Sequence, residues 1–168
     1  MTSDACALDD ARLTLAGLLF ETHAGLSTEL ERRLERDAGL SRQWFEVLLR
    51  LARSPDGRLR MTDLAHQVLI TSSGLTRAVD RMEEAGLVKR EACPSDRRVS
   101  WCTLTAKGRR RIERAIPKHV ADLDDVFARH LDARERDDLE AILRKLRDAL
   151  RPESTAGAAA TAGQATAR

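Results

Sequence analysis

TDLAHQVLITSSGLTRAVDRMEEAGLVKREACPSDRRVSWCTLT, residues 62–105, is the stretch whose reading decides the fold. Thr62 is placed to cap a short helix over residues 63–69, with Leu64, Ala65 and Val68 facing inward. Thr71, Ser72 and Ser73 supply the hydroxyls of a turn and a second cap. A second helix over about 73–85 follows and stops at Gly86, a residue suited to the left-handed position after a helix. Its inward stripe is Leu75, Ala78, Val79 and Met82; its other face carries Ser73, Thr76, Arg77, Asp80, Arg81 and Glu84. Leu87–Cys93 and Val99–Leu104 then read as two strands joined by Pro94-Ser95-Asp96-Arg97-Arg98. Helix, turn, helix and hairpin in this order predict a winged helix-turn-helix, an arrangement that sets one helix in the DNA major groove with a hairpin beside it.

Outside this segment the pattern is helical. Leu13, Leu18, Leu30 and Leu34 recur at near-helical spacing along residues 9–37, with Gly25 a weak point and Gly39 the stop. Ser41 can cap a helix over 42–53 whose stripe is Phe45, Leu48, Leu49 and Ala52. Ser54-Pro55-Asp56-Gly57 is a turn, and Leu59–Met61 is long enough only for a strand stub. After the hairpin, Ile112, Ala115, Ile116, Val120, Leu123, Val126 and Phe127 run at a helical period, which Pro117 should bend rather than end. A last helix over about 133–150 presents Leu139, Ile142, Leu143, Leu146 and Leu150. Beyond Pro152 the chain is mostly Ala, Thr and Gly and has little to pack. The expected fold is therefore mainly α with a small antiparallel β wing. Its expected parts are an N-terminal dimerisation helix (1–40), a DNA-binding domain (41–106), C-terminal dimerisation helices (107–150) and a disordered tail (151–168).

Composition narrows the function. With 3% aromatic residues and no Tyr, a core must come from Leu, Val, Ile and Ala. No apolar run approaches the roughly 20 residues of a membrane span, and the acidic start MTSDACALDD lacks the basic segment of a secretory signal. Three cysteines do not suggest a disulfide framework; cytoplasmic placement is the default. The net charge of +2 is unevenly distributed. Residues 1–40 hold 4 Lys/Arg against 8 Asp/Glu, residues 70–114 hold 11 against 6, and residues 115–150 hold 7 against 9. A basic unit flanked by acidic helices suits a protein that meets phosphate on one face only.

Within that unit, Thr71, Ser72 and Ser73 lie at a helix N-terminus, where free N–H groups and the helix dipole attract phosphate. Thr76 and Arg77 lie one turn in, where Arg can pair with guanine and Thr can meet a thymine methyl; Arg81 follows on the same face. Alone, such a helix would be read as an ordinary solvated face; the hairpin beside it favours DNA contact. At the hairpin tip, Asp96 can bond the turn backbone and steady one of Arg97 and Arg98 while the other enters a minor groove.

These residues resemble the MarR (multiple antibiotic resistance regulator) family of winged-helix transcription factors. The resemblance rests on MTDLAHQV, SSGLTRAVDRMEEAGLVKR and CPSDRRVSWCTLTAKG, covering residues 42–131 with their helical flanks. Leu104-Thr105-Ala106-Lys107-Gly108 matches the Leu-Thr-x3-Gly pattern that follows the wing, and Asp96 with Arg98 matches its Asp-x-Arg, so the resemblance makes Arg98 the minor-groove residue. It further implies a homodimer with interlocked terminal helices, a pseudo-palindromic double-stranded operator, and release by a small-molecule effector or by oxidation. A repressor is the expected role. Leu13, Leu18, Leu139, Leu143 and Leu146 are the expected interface positions.

Other residues carry less. Cys6 precedes the first helix, as a reactive Cys does in some redox-sensing relatives; such sensors need a lowered pKa and a partner such as Tyr, which this chain lacks. Cys93 and Cys102 could face each other across the hairpin, although Cys102 is more simply a small core residue. A thiol-based redox regulator on the same scaffold is the alternative function. A winged helix turned protein-interaction module is a further one, opposed by Arg77, Arg81, Arg97 and Arg98. An enzyme is not expected, since no Rossmann glycine motif is present. Histidines 23, 66, 119 and 130 lack metal-ligand spacing, so no metal or cofactor is expected. His23, Trp44 and Phe45 could line an effector pocket where the first two helices meet the winged unit, although the favoured reading is Phe45 as core and Trp44 packed on the partner helix. Trp101 lies on the face of the wing opposite Cys102, packing on wing residues or lying against DNA sugar.

Overall fold

The computed structural model describes residues 9–68, 71–92 and 99–151, with the side chain of Ser72 excepted. The expectations for Cys6, Cys93, Asp96, Arg97, Arg98 and residues 152–168 lie outside the described residues. The elements in order are α1 (Ala11–Ala38), α2 (Arg42–Arg53), a 3-10 turn (Pro55–Gly57), β1 (Arg58–Arg60), α3 (Met61–Gln67), α4 (Ser72–Glu84), β2 (Val88–Ala92), β3 (Ser100–Leu104), α5 (Ala106–Val126), a second 3-10 turn (Ala128–His130) and α6 (Ala133–Leu150). Among the described residues, six helices and a small antiparallel sheet make the fold mainly α with a β wing, as expected.

Short polar side chains start most of the helices. Ser41 accepts from the Trp44 N–H, Thr71 from that of Gly74, Thr105 from that of Gly108, and Asp132 forms a reciprocal capping box with Glu135. Glycines end two of them: Gly39 (φ 56°) closes α1, and Gly86 (φ 68°) closes α4. At Gly86 the bonds Gly86 N–H to Glu83 C=O and Leu87 N–H to Met82 C=O form a Schellman motif. Gly25 does not interrupt α1, and α5 runs through Pro117.

Two local expectations are corrected. Thr62 is not the cap of α3; that position falls on Arg60, which offers no side-chain cap bond. Pairing with β3 holds Arg60 opposite Trp101, and the chain turns into the helix at once, leaving Thr62 inside it. The strand stub at Leu59 is the third strand of the sheet, ordered β1-β3-β2. Register places Cys102 opposite Leu59 on one side and Arg90 on the other.

One core lies beneath the sheet, built from Leu48 and Leu51 of α2, Leu64 of α3, Leu75, Val79 and Met82 of α4, Val88 and Cys102 of the sheet, and Ile112 of α5. All of these are at most 1% exposed. This burial welds α2, α3, α4 and the sheet into one body. Helix α5 packs on α1 and α2, and the two long helices are tied by ions: the Arg33 guanidinium lies 2.8 Å from Asp125 and 3.3 Å from Asp122, whose buried carboxylate also meets Lys118 at 2.8 Å. Breaking such a buried set from one side is costlier than its net contribution.

The outer ends of the helices are different. Leu13, Leu15, Leu18, Leu19 and Phe20 of α1 and Ile142, Leu143, Leu146 and Leu150 of α6 are all exposed. Helix α6 has no buried residue at all. Large apolar side chains exposed in this number on two helices point to a binding face.

Candidate nucleic-acid interface

Helix α4 buries Leu75, Ala78, Val79 and Met82 and turns Ser73, Thr76, Arg77 and Arg81 to solvent. The sequence-expected contact face is thus the exposed one, with Thr71 at its start and the Ser72 backbone in its first turn. Among the described residues Arg77 and Arg81 make no ion pair, so both guanidiniums are available.

Arg90 of β2 is a residue the sequence reading passed over. Its guanidinium meets Asp80 at 2.6 Å and donates to the Thr76 carbonyl at 2.9 Å, while its backbone N–H donates to the Glu83 carboxylate at 2.7 Å. The wing is therefore fastened to α4 at three points, and the angle between helix and hairpin is set. Its signal in the sequence was only an Arg in mid-strand, which strand pairing had to place against α4.

Cys102 is fully buried, and burial pushes its thiol up to about 12. Thiolate is the reactive form. A protein with Cys6 and Cys93 replaced by Ser is expected to give no thiol signal with a chromogenic disulfide at pH 8 until it is unfolded; prompt reaction in the native state would contradict this placement.

A groove of about 690 Å³ runs between α1, α2 and α5, lined among others by His23, Leu30, Phe45, Arg53, Glu113 and His119. Two of the three residues suggested for an effector pocket, His23 and Phe45, share it; Trp44 packs against the core instead. Phe45 is 4% exposed and its ring centre lies 4.4 Å from that of His119, so it serves core and groove at once. The sequence reading missed His119, because only the packing of α5 on α2 brings it to Phe45. Its buried Nδ1 has no partner among the described residues. Burial lowers its pKa, against the pull of Asp122 and Glu46. The folded state thus binds the imidazole proton less readily than the unfolded chain. The neutral-His contribution is intact above about pH 6.5 and lost as the pH falls below it. Melting temperature is expected to fall between pH 7 and 5, and less so in His119→Phe; parallel profiles would remove His119 as the cause.

A helix set on a helix-turn-helix core, exposing two free arginines beside a fastened hairpin, defines a winged-helix DNA-binding protein. Comparison with known proteins agrees. The MarR family model matches residues 38–99. The chain is 36% identical to Sco3205 of Streptomyces coelicolor, a MarR family transcriptional regulator solved in complex with DNA, over 83% of this chain and 91% of that one with a TM-score of 0.79. It is 32% identical to AbsC of the same organism, over 85% and 96% of the two chains with a TM-score of 0.79. Over 121 residues, 72% of this chain and 81% of the relative, it is 26% identical to the HTH-type transcriptional regulator MhqR of Bacillus subtilis (strain 168). The chain belongs to the MarR family of transcriptional regulators. It stands among DNA-binding regulators of transcription rather than enzymes.

Proposed function

We propose that the protein is a homodimeric repressor of a pseudo-palindromic operator, working in the cytoplasm and released by a small molecule. The observation that carries this reading is the pairing of an exposed, unpaired arginine face on α4 with unpartnered apolar faces on α1 and α6. Joining two copies through α1 and α6 gives the two-fold symmetry that paired half-sites need, about 34 Å apart along the duplex. Thr71, Ser72 and Ser73 meet phosphate, Thr76, Arg77 and Arg81 meet base edges, and at the wing Asp96 steadies Arg97 while Arg98 enters the minor groove. Two bound heads cover enough duplex to exclude other proteins, which is repression by occupancy.

The groove beside His23, Phe45 and His119 is where an effector would act. It lies between the α1–α5 pair and the α2 helix that carries the reading unit, so a ligand wedged there changes the separation of the heads. It releases DNA only if it binds the DNA-incompetent arrangement better by several kcal/mol. The buried Cys102 gives no support to oxidation as the trigger.

The test is fluorescence anisotropy with duplex covering DNA upstream of the protein's own gene. Arg77→Ala should weaken binding at least tenfold, consistent with the roughly 1–3 kcal/mol of a bidentate base contact, while the melting temperature stays put because the side chain is exposed. Unchanged affinity would remove α4 as the reading helix.

A further inference from the structure

Helix α4 and the wing tip are not the whole basic surface. The sheet has a second face, turned away from the core. Strand alternation puts Leu59 and Cys102 inward and Arg58, Arg60, Trp101 and Thr103 outward. Arg60 and Glu91 stand on either side of Trp101, and Arg58 and Lys89 on either side of Thr103. The Arg58 guanidinium carbon lies 5.0 Å from the Trp101 ring centre and that of Arg60 lies 5.5 Å from it, so one indole holds two cations.

The charges on this face do not balance. Glu91 is engaged by Lys89 at 2.6 Å and by the Thr103 hydroxyl at 2.6 Å. Arg58 meets Asp56 at 3.9 Å and acts on Glu91 from farther off, and Arg60 has no carboxylate partner among the described residues. A face with a purely structural task would alternate its signs. Two guanidiniums on one ring repel each other, and a polyanion laid across them would relieve that repulsion. Stacking occupies the guanidinium face and leaves its N–H edge free to donate, and it lowers the entropy lost on binding an oxyanion.

The location names the polyanion. Trp101 lies on β3, a strand of the wing, paired with the β1 strand that carries Arg58 and Arg60. The Arg58–Trp101–Arg60 group therefore stands on the sheet that carries the wing, beside the surface that meets DNA in the reading above. Each strand of a duplex presents a phosphate every 3.4 Å or so of helix axis. We propose that these three residues form a phosphate platform that extends the contact onto DNA backbone flanking each half-site. The proposal rests on the DNA-binding reading above and adds to it a surface outside helix α4 and the wing tip.

The experiment uses full-length protein and a labelled generic duplex titrated across a salt series. Arg58→Gln with Arg60→Gln should weaken binding about tenfold at moderate salt and lower the slope of log affinity against log salt by about 2 per bound protomer. The double Lys variant, which keeps charge without the planar stack, should hold the wild-type slope. Trp44→Phe leaves Trp101 as the sole indole; in that background duplex should shield it from iodide quenching. A Gln variant with wild-type slope and wild-type melting temperature would overturn the proposal, as would equal losses in the Gln and Lys variants, which would mean a structural role. So would undiminished quenching of Trp101 in the DNA complex. Wild-type protein that binds no duplex at all would fail at the DNA reading itself, before the platform is in question.

Discussion

Gly108→Ala is expected to destabilise the protein by about 3 kcal/mol and lower its melting temperature by roughly 6–12 °C. Gly108 is buried in the first turn of α5. A methyl group there would sit 2.1 Å from the Leu87 carbonyl oxygen and 2.8 Å from Leu104 Cδ1. The carbonyl cannot step aside, because it accepts from the Thr105 N–H at 3.1 Å and from the Thr105 hydroxyl at 3.0 Å. The same hydroxyl accepts from the Gly108 N–H at 3.0 Å as the cap of α5. One substitution therefore strains the turn out of α4, the start of β2 and the cap of α5 together. The better helix propensity of Ala, worth about 1 kcal/mol, offsets only part of this. Gly25→Ala is the counterpart: nothing lies within 4 Å of its added carbon, and the change should stabilise by a few tenths to 1 kcal/mol. Thermal melts of both variants check the pair. A Gly108→Ala protein as stable as wild type would show that α5 does not pack this closely on Leu87.

Leu143→Asp is expected to convert the proposed dimer to a well-folded monomer, weakening association at least a thousandfold, or about 4 kcal/mol. Leu143 is 43% exposed, so an aspartate there stays hydrated in a lone chain and leaves its fold intact. In a two-fold interface the same change appears twice and buries two unpaired carboxylates. Sedimentation at micromolar concentration reads the mass, and a melt confirms the fold. A variant that remains a dimer would move the interface away from α6, and the operator reading would lose its symmetry argument.

Why some of this was legible in the sequence and some was not follows from the range of the interactions. The reading helix was legible because Leu75, Ala78, Val79 and Met82 repeat at the helical period between Thr71 and Gly86, and periodicity, cap and stop are local. The pattern after the wing ended on Gly108, but the sequence did not say what the glycine was for. The reason is the Leu87 carbonyl, 21 residues earlier in the chain. Thr62 misled because a cap-forming residue is a weak signal beside the pull of strand pairing. Cys102 read as a small core residue, and strand register set it between Arg90 and Leu59.

Alternation, capping residues and charge spacing by themselves determined six helices, a hairpin, the exposed face of α4 and the basic patch around it, because each is settled within a turn or two of chain. Only the tertiary structure decided that β1 joins the sheet, that Arg90 fastens the wing to α4, that His119 meets Phe45, and that Arg58 and Arg60 share the Trp101 ring. Those contacts join residues 10 to more than 70 positions apart in the sequence. No local pattern encodes them; they exist because burial of one apolar core brings those segments together.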